Sequence, residues 1–232
     1  MLQASATMTR QSPARVPVPQ TNRLAALEPQ AINMRLDRDA VLFWEGDKAA
    51  FTYKVVSGAI RVCKLMADGR RQVSDFFLPG DLISFDLAGV HSVTAEAIVE
   101  SIVRRYPKTS LERMVSENPS FARDMLLLAY DRLVTAQLQM VTLGRKTAPE
   151  RIASFLVSHA ARCKTAHSPG QTVALPMSRV DIADHLGLTV ETVSRILSRL
   201  RHDRVIDLPD FHTVVVRDWT TLNGLAEGGE PA

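Results

Sequence analysis

The segment "GLTVETVSRILSRL", residues 187–200, sets Glu191, Ser194, Arg195, Ser198 and Arg199 into a regular apolar pattern. On a helical wheel at about 100° per residue these five side chains share one face. Val193, Ile196, Leu197 and Leu200 share the opposite face. An ionised glutamate only accepts hydrogen bonds and an arginine only donates them, so a helix that presents both can read a chemical pattern. In the major groove of a duplex, arginine pairs with guanine O6 and N7, and glutamate accepts from cytosine N4. The competing reading is a surface ion pair between Glu191 and Arg195, worth only about 0.3–0.5 kcal/mol. Ser194 between them and Arg199 beyond them favour the groove. Thr189, Thr192, Ser198, Arg199 and Arg204 are the candidate contacts to the DNA backbone.

A reading helix needs a partner helix and a tight turn. From Arg179 onward, Ile182, Leu186, Leu188, Val193 and Ile196 are apolar, Ala183 is small and Gly187 stands between two helical patterns. Two helices crossing steeply need a small residue at the crossing and glycine where the turn goes left-handed, so Ala183 and Gly187 are the expected packing positions of a helix-turn-helix. Asp184 and His185 are then expected near the DNA backbone. Downstream, "RVIDLP" and "HTVVVRDW" predict two short strands around Pro209-Asp210, a wing. Upstream, "TAPERIASFLVSHAAR" predicts a helix with a Thr147–Glu150 capping box, Pro149 in its first turn, and Ile152, Phe155, Leu156 and His159 on one face.

Before that, Asn118-Pro119 opens a helix expected to reach Gly144. Leu126, Ala129, Leu133, Ala136, Met140 and Leu143 alternate spacings of three and four, a heptad seam. The stripe is narrower than a core-facing helix usually shows, which favours a dimer seam over packing on the chain's own β region. A further capping box is expected at Thr109 and Glu112. Residues 36–106 have strand texture, in "VLFWEG", "AFTYKVVSG", "AIRVCKLM", "RQVSDFFLPG", "SVTAEAIVE" and "SIVRRY", punctuated by glycines 46, 58, 69, 80 and 89. Regularly spaced turns between short strands predict a sandwich or barrel. Residues 1–22 are rich in Pro, Ser, Thr and Gln and read as a flexible arm.

The expected organisation is therefore α+β. It has an arm (1–22), a β-roll (23–116), a long dimerisation helix (117–144) and a winged helix-turn-helix (145–232). The 232 residues are 46% hydrophobic and 23% charged with a net charge of +3, which tolerates nucleic acid as a partner without demanding it. No apolar run approaches the roughly 18 residues of a membrane span, and no signal pattern opens the chain, so a cytoplasmic protein is expected. Cys63 and Cys163 are too few for a disulfide framework or a four-cysteine zinc site. Cys163, flanked by Arg162 and Lys164, is a candidate redox thiol of lowered pKa. A cupin-type metalloenzyme needs clustered His and Glu ligands, and the β region offers only His91. No catalytic, metal-binding or cofactor-binding residue is expected.

The order of parts over residues 25–220, with "GLTVETVSRILSRL" at its end, resembles the CRP/FNR family of bacterial transcription regulators. Its E-x-x-S-R core is similar to the FNR branch, which implies Glu191, Ser194 and Arg195 as base readers. Val190 stands where the cyclic-AMP branch has arginine, another base-contact position, and this places the chain with FixK-type members. The resemblance implies a cyclic-nucleotide-binding-like jelly roll and a homodimer on a palindromic TTGA-type operator. It further implies RNA polymerase as partner in activation, and control of oxygen-limited respiration or nitrogen metabolism. Two departures bear on the effector. Ser84-Phe85 and His91-Ser92 replace the Gly-Glu and Arg-Ser pairs that hold ribose and phosphate in cyclic-nucleotide readers, leaving a cyclic phosphate no charge partner. Residues 1–62 hold no cysteine for an iron–sulfur centre. A regulator with no resident cofactor is expected; a haem- or small-molecule-gated sensor, with His91 as haem ligand, is the alternative.

Overall fold

The computed structural model describes residues 30–83, 89–163 and 170–229. The arm expected over 1–22 and the Ser84-Phe85 pair lie outside the described residues. The N-terminal half is two four-stranded antiparallel sheets. One has the order β1 (Ile32–Leu36), β8 (Ser101–Pro107), β3 (Phe51–Ser57), β6 (Leu82–Ile83). The other runs β2 (Val41–Phe43), β7 (Thr94–Ala97), β4 (Ile60–Leu65), β5 (Arg71–Phe77). Side chains alternate across a strand, so each sheet can turn an apolar face inward. Val55 opposite Val103, and Ile60 opposite Ala97, are fully buried there together with Ala95. At Gly58 the backbone passes so close to β8 that a Cβ would lie 2.2 Å from Ser101 Oγ, and φ is +82°, so glycine alone fits.

The six runs with strand texture fall on β2, β3, β4, β5, β7 and β8. Strands β1 and β6 carry no such signal. β1 is largely exposed at a sheet edge, and β6 has only two residues.

Three helices follow. α1 (Lys108–Glu117) begins one residue before the expected cap. Pro107 occupies the cap position without a side-chain bond, so the Thr109–Glu112 box does not form. α2 (Pro119–Arg145) starts as expected, with Asn118 Oδ1 accepting from the Phe121 N–H at 3.1 Å. Its inner face buries Phe121 and Leu128 against Tyr106, Leu111 and Leu82. α3 (Ala148–Arg162) is held at its start by Glu150, which accepts from the Thr147 N–H at 3.0 Å. Ile152, Phe155, Leu156 and His159 are all buried.

The C-terminal part continues β9 (Gln171–Ala174), α4 (Arg179–Leu186), α5 (Val190–His202), β10 (Ile206–Asp210), β11 (Thr213–Val216) and α6 (Trp219–Ala226). Its sheet has the order β10-β11-β9, so the wing carries a third strand, β9, that the sequence reading lacks. The wing turn also lies further on than expected. β10 runs through Pro209 and Asp210, and the turn is Phe211-His212, with Asp210 Oδ1 accepting from the His212 N–H at 2.7 Å. Proline fits in β10 because this is an edge strand. The apolar core of this part is continuous with the outer face of the roll, since Val73 and Phe76 of β5 pack in one cluster with Phe155, Ile182 and Leu186.

Candidate nucleic-acid interface

Ser178 and Asp181 start α4 with a reciprocal box. The Ser178 hydroxyl accepts from the Asp181 N–H at 3.1 Å, and Asp181 Oδ2 accepts from the Ser178 N–H at 3.0 Å. Gly187 ends the helix at φ 62°, ψ 43°, the left-handed cap that glycine takes without strain. Ala183 is 2% exposed and packs in one apolar cluster with Ile182, Leu186 and Val193. Arg151 on α3 closes the turn by donating Nη1 to the Leu186 carbonyl at 2.9 Å.

Thr189 caps α5, accepting from the Thr192 N–H at 3.2 Å. Val193, Leu197 and Leu200 are buried, and Glu191, Ser194, Arg195, Ser198 and Arg199 are exposed. Backbone N–H donation at the helix start and the Thr189 hydroxyl hold the Glu191 carboxyl below its ordinary range, so it stands as an ionised acceptor. Arg195 makes no carboxylate contact among the described residues; its one bond is Nη2 to Thr192 Oγ1 at 3.4 Å. The surface pair with Glu191 is not formed, and the guanidinium stays available. Arg199 does have a loose partner, Asp203, at 3.6 Å.

The structure moves several expected contacts. Val190 is half-buried and packs against the domain core. Thr192 is half-buried, its hydroxyl shared between Thr189 and Arg195. Arg204 is exposed at the start of the wing with φ 59°, a left-handed conformation unusual outside glycine. Asp184 and His185 are both bonded to the roll. Asp184 pairs with Arg71 at 2.8 Å, and His185 Nδ1 donates to the Val73 carbonyl at 3.0 Å, both on β5.

Two residues escaped the sequence reading. Between α5 and the wing lies a cleft bounded by Ser194, Ser198 and Arg201 on one side and Pro209 and Phe211 on the other. Arg179 lines it with a buried, unbonded Nη1, and burial lowers its pKa. Phe211, at the wing tip, is 81% exposed. Its only sequence signal is an aromatic beside a turn pair.

A helix pair crossing at Gly187 with an open polar face, and a wing beside it, now stand on an eight-stranded roll and a long helix. A Crp-like helix-turn-helix domain model matches residues 150–225, and a cyclic nucleotide-binding domain model matches residues 33–118. The chain is 41% identical to the nitrogen fixation regulation protein FixK of Azorhizobium caulinodans, over 81% of this chain and 76% of that protein. It is 42% identical to FixK of Bradyrhizobium diazoefficiens, over 71% and 70% respectively. The chain belongs to the FixK-type CRP/FNR family. The solved structure of FixK2 from Bradyrhizobium japonicum is similar over 84% of this chain and 96% of its own, with a TM-score of 0.78 and 39% identity. A CooA variant from Carboxydothermus hydrogenoformans shares the fold at a TM-score of 0.75 and 21% identity. This FixK-type chain is a DNA-binding transcription regulator.

Its sensor-side residues are arranged for packing. His91 is 2% exposed and stacks on Phe43, with ring centroids 3.6 Å apart. Among the described residues no group of three His, Cys, Asp or Glu side chains is placed to hold a metal. Cys63 is buried in β4, and burial raises its thiol pKa. Cys163 departs from expectation. Burial outweighs the lowering effect of Arg162 and pushes the thiol up, because Arg162 is committed to Asp75 at 3.1 Å and Asp81 at 2.7 Å. This direction is opposite to the lowered pKa expected of the thiol between Arg162 and Lys164, the latter lying outside the described residues. No described helix is long and apolar enough to cross a membrane.

Proposed function

We propose that this FixK-type regulator acts as a homodimer on a palindromic TTGA-type duplex and recruits RNA polymerase in the cytoplasm. The roll (23–116), the long helix (117–144) and the winged head (145–232) are its three working parts. The observation that carries the reading is the unpaired Arg195 beside an ionised Glu191 on the exposed face of α5. The dimer is supported by α2, where Leu126 is 70% exposed, Leu133 57% and Met140 65% in the single chain, with Ala129 and Ala136 exposed between them and Leu143 half-buried. An apolar stripe this long needs a cover, and an isologous pair of helices supplies one. Activation is supported by relatives whose names say it, such as the transcriptional activator protein FnrL of Cereibacter sphaeroides, 35% identical over 90% of this chain. The printed name of the FixK relatives, nitrogen fixation regulation protein, supports a role in nitrogen metabolism.

Selection of bound sequences from random duplexes by the purified protein tests this. Inverted TTGA-type half-sites, centred about one helical turn apart, are the expected result. Enrichment of single unpaired half-sites, or of no sequence, overturns it.

A further inference from the structure

The head of the molecule touches the roll through the apolar packing of Phe155, Ile182 and Leu186 on Val73 and Phe76, through Arg162 of α3, and through a set of charged bonds made by α4. Arg61 of β4 bonds Glu96 through Nε at 2.8 Å, Asp39 through Nη2 at 3.1 Å and Asp181 of α4 through Nη1 at 3.1 Å. Arg71 of β5 donates to Asp181 at 2.9 Å and to Asp184 at 2.8 Å. Asp181 accepts from both arginines while also capping α4, and its side chain is only 3% exposed. The far end of α4 is fastened too, since the His185 carbonyl accepts from Gln72 at 3.3 Å and from Gln139 of α2 at 2.9 Å. Asp181, Asp184 and His185 thus all face the roll, while Glu191, Ser194 and Arg195 of α5 stay open to solvent.

Burying this many charges is a weak way to gain stability, because desolvation cancels most of the attraction. Directional bonds at fixed positions provide something an apolar contact cannot, a single orientation. Apolar surfaces slide over each other, whereas a guanidinium shared between two carboxylates fixes translation and rotation together. We infer that Arg61 and Arg71 are positioning residues for DNA reading, holding α4, and through it α5, at one angle to the roll and so to the dimer axis. The joint is closed with the reading face exposed, so it arranges the head for binding instead of hiding it. Two heads held at a fixed separation meet two half-sites at a high effective concentration; loose heads do not. The inference rests on the dimeric, palindrome-binding reading above.

The test measures affinity of the full chain, unmodified and as Arg71→Gln, for three probes. These are a duplex with an inverted TTGA-type repeat, the same duplex with its arms moved apart by two base pairs, and one with a single arm. The unmodified protein is expected to prefer the first spacing by about tenfold or more. Arg71→Gln is expected to bind the first duplex about tenfold more weakly, to lose most of the spacing preference, and to bind the single arm as before. Arg71→Lys, which keeps the charge but not the fork, is expected to fall between. Should Arg71→Gln fail to fold, Asp184→Asn is read in the same way, its carboxylate being 26% exposed. A folded variant with intact spacing preference overturns the inference, as does equal loss on the first and single-arm duplexes. If the unmodified protein shows no preference for the inverted repeat, the functional reading has failed instead.

Discussion

Among the described residues Arg195 bonds only one threonine hydroxyl, and that leaves four of its five N–H donors unused. Arg195→Ala is expected to cost about 1–3 kcal/mol on the selected duplex and to relax preference at one base pair per half-site. Equal weakening on random DNA in the same titration contradicts base reading. Arg199→Ala is expected to weaken all duplexes alike and to flatten the salt dependence, which a titration over ionic strength checks. A second residue governs pH behaviour. His159 is 2% exposed, and because a carbonyl only accepts, its Nε2 donates to the Ala174 carbonyl at 2.8 Å. Burial is the main cause that pushes its pKa down to about 4 from 6.5, and the neighbouring Arg162 adds to it. A histidine lowered on folding stabilises the native state above pH 6.5 and loses that contribution as pH falls toward 4. The full difference is about 3 kcal/mol. Urea midpoints measured at pH 7.5 and pH 5 are expected to differ less in a His159→Gln variant than in the unmodified protein. The exposed polar face of α5 was legible in the sequence because its residues recur at helical spacing. Asp184 and His185 were not, because the partners that turn them toward the roll lie on β5, more than a hundred residues away.

Elements whose ends are chemically marked could be read directly. Asn118-Pro119 opens α2 and Gly187 closes α4, since cap chemistry acts within a few residues. Strands β6 and β9 could not, because two and four residues gain strand identity only from the neighbour they pair with. At Gly187 an added Cβ would meet only Arg151 Nη1 at 3.5 Å and Leu143 at 3.7 Å, ordinary contacts, so the cost of Gly187→Ala is the left-handed backbone itself. About 1–2 kcal/mol of stability is expected to be lost, seen in thermal unfolding, with DNA binding kept at low temperature. On α2, Leu133→Asp places a charge in the middle of the exposed stripe. Monomers in sedimentation, together with loss of palindrome binding, are the expected result. An unmodified protein that stays monomeric at micromolar concentration rules out the seam.

At the scale of the whole molecule, the order of roll, long helix and winged head was readable from the changes in periodicity. The way the head sits on the roll was not, since Arg61 and Asp181 are 120 positions apart and each is an ordinary charged residue in its own segment. The whole-molecule expectation that follows from Phe85 and His91 is binding without an added effector. Operator affinity is expected to stay unchanged on adding cyclic AMP, whereas a gain of about tenfold, or 1.4 kcal/mol, contradicts it. The purified protein is expected to lack a haem absorption band, in keeping with the His91 ring stacked on Phe43.

The pairing of β9 with β11, Gln171 opposite Val216, has a consequence for synthesis. Helices α4 and α5 are strung between two strands, β9 and β11, that meet only after the second has been made. On the ribosome the roll emerges first and can close, with Arg61 and Arg71 already in place. Helices α4 and α5 then follow with β5 of the roll already there for α4 to pack on, but β9 has no strand to pair with until Val216 has cleared the exit tunnel. A nascent chain stopped before Thr213 carries a finished roll and a head whose three-stranded sheet still lacks β11.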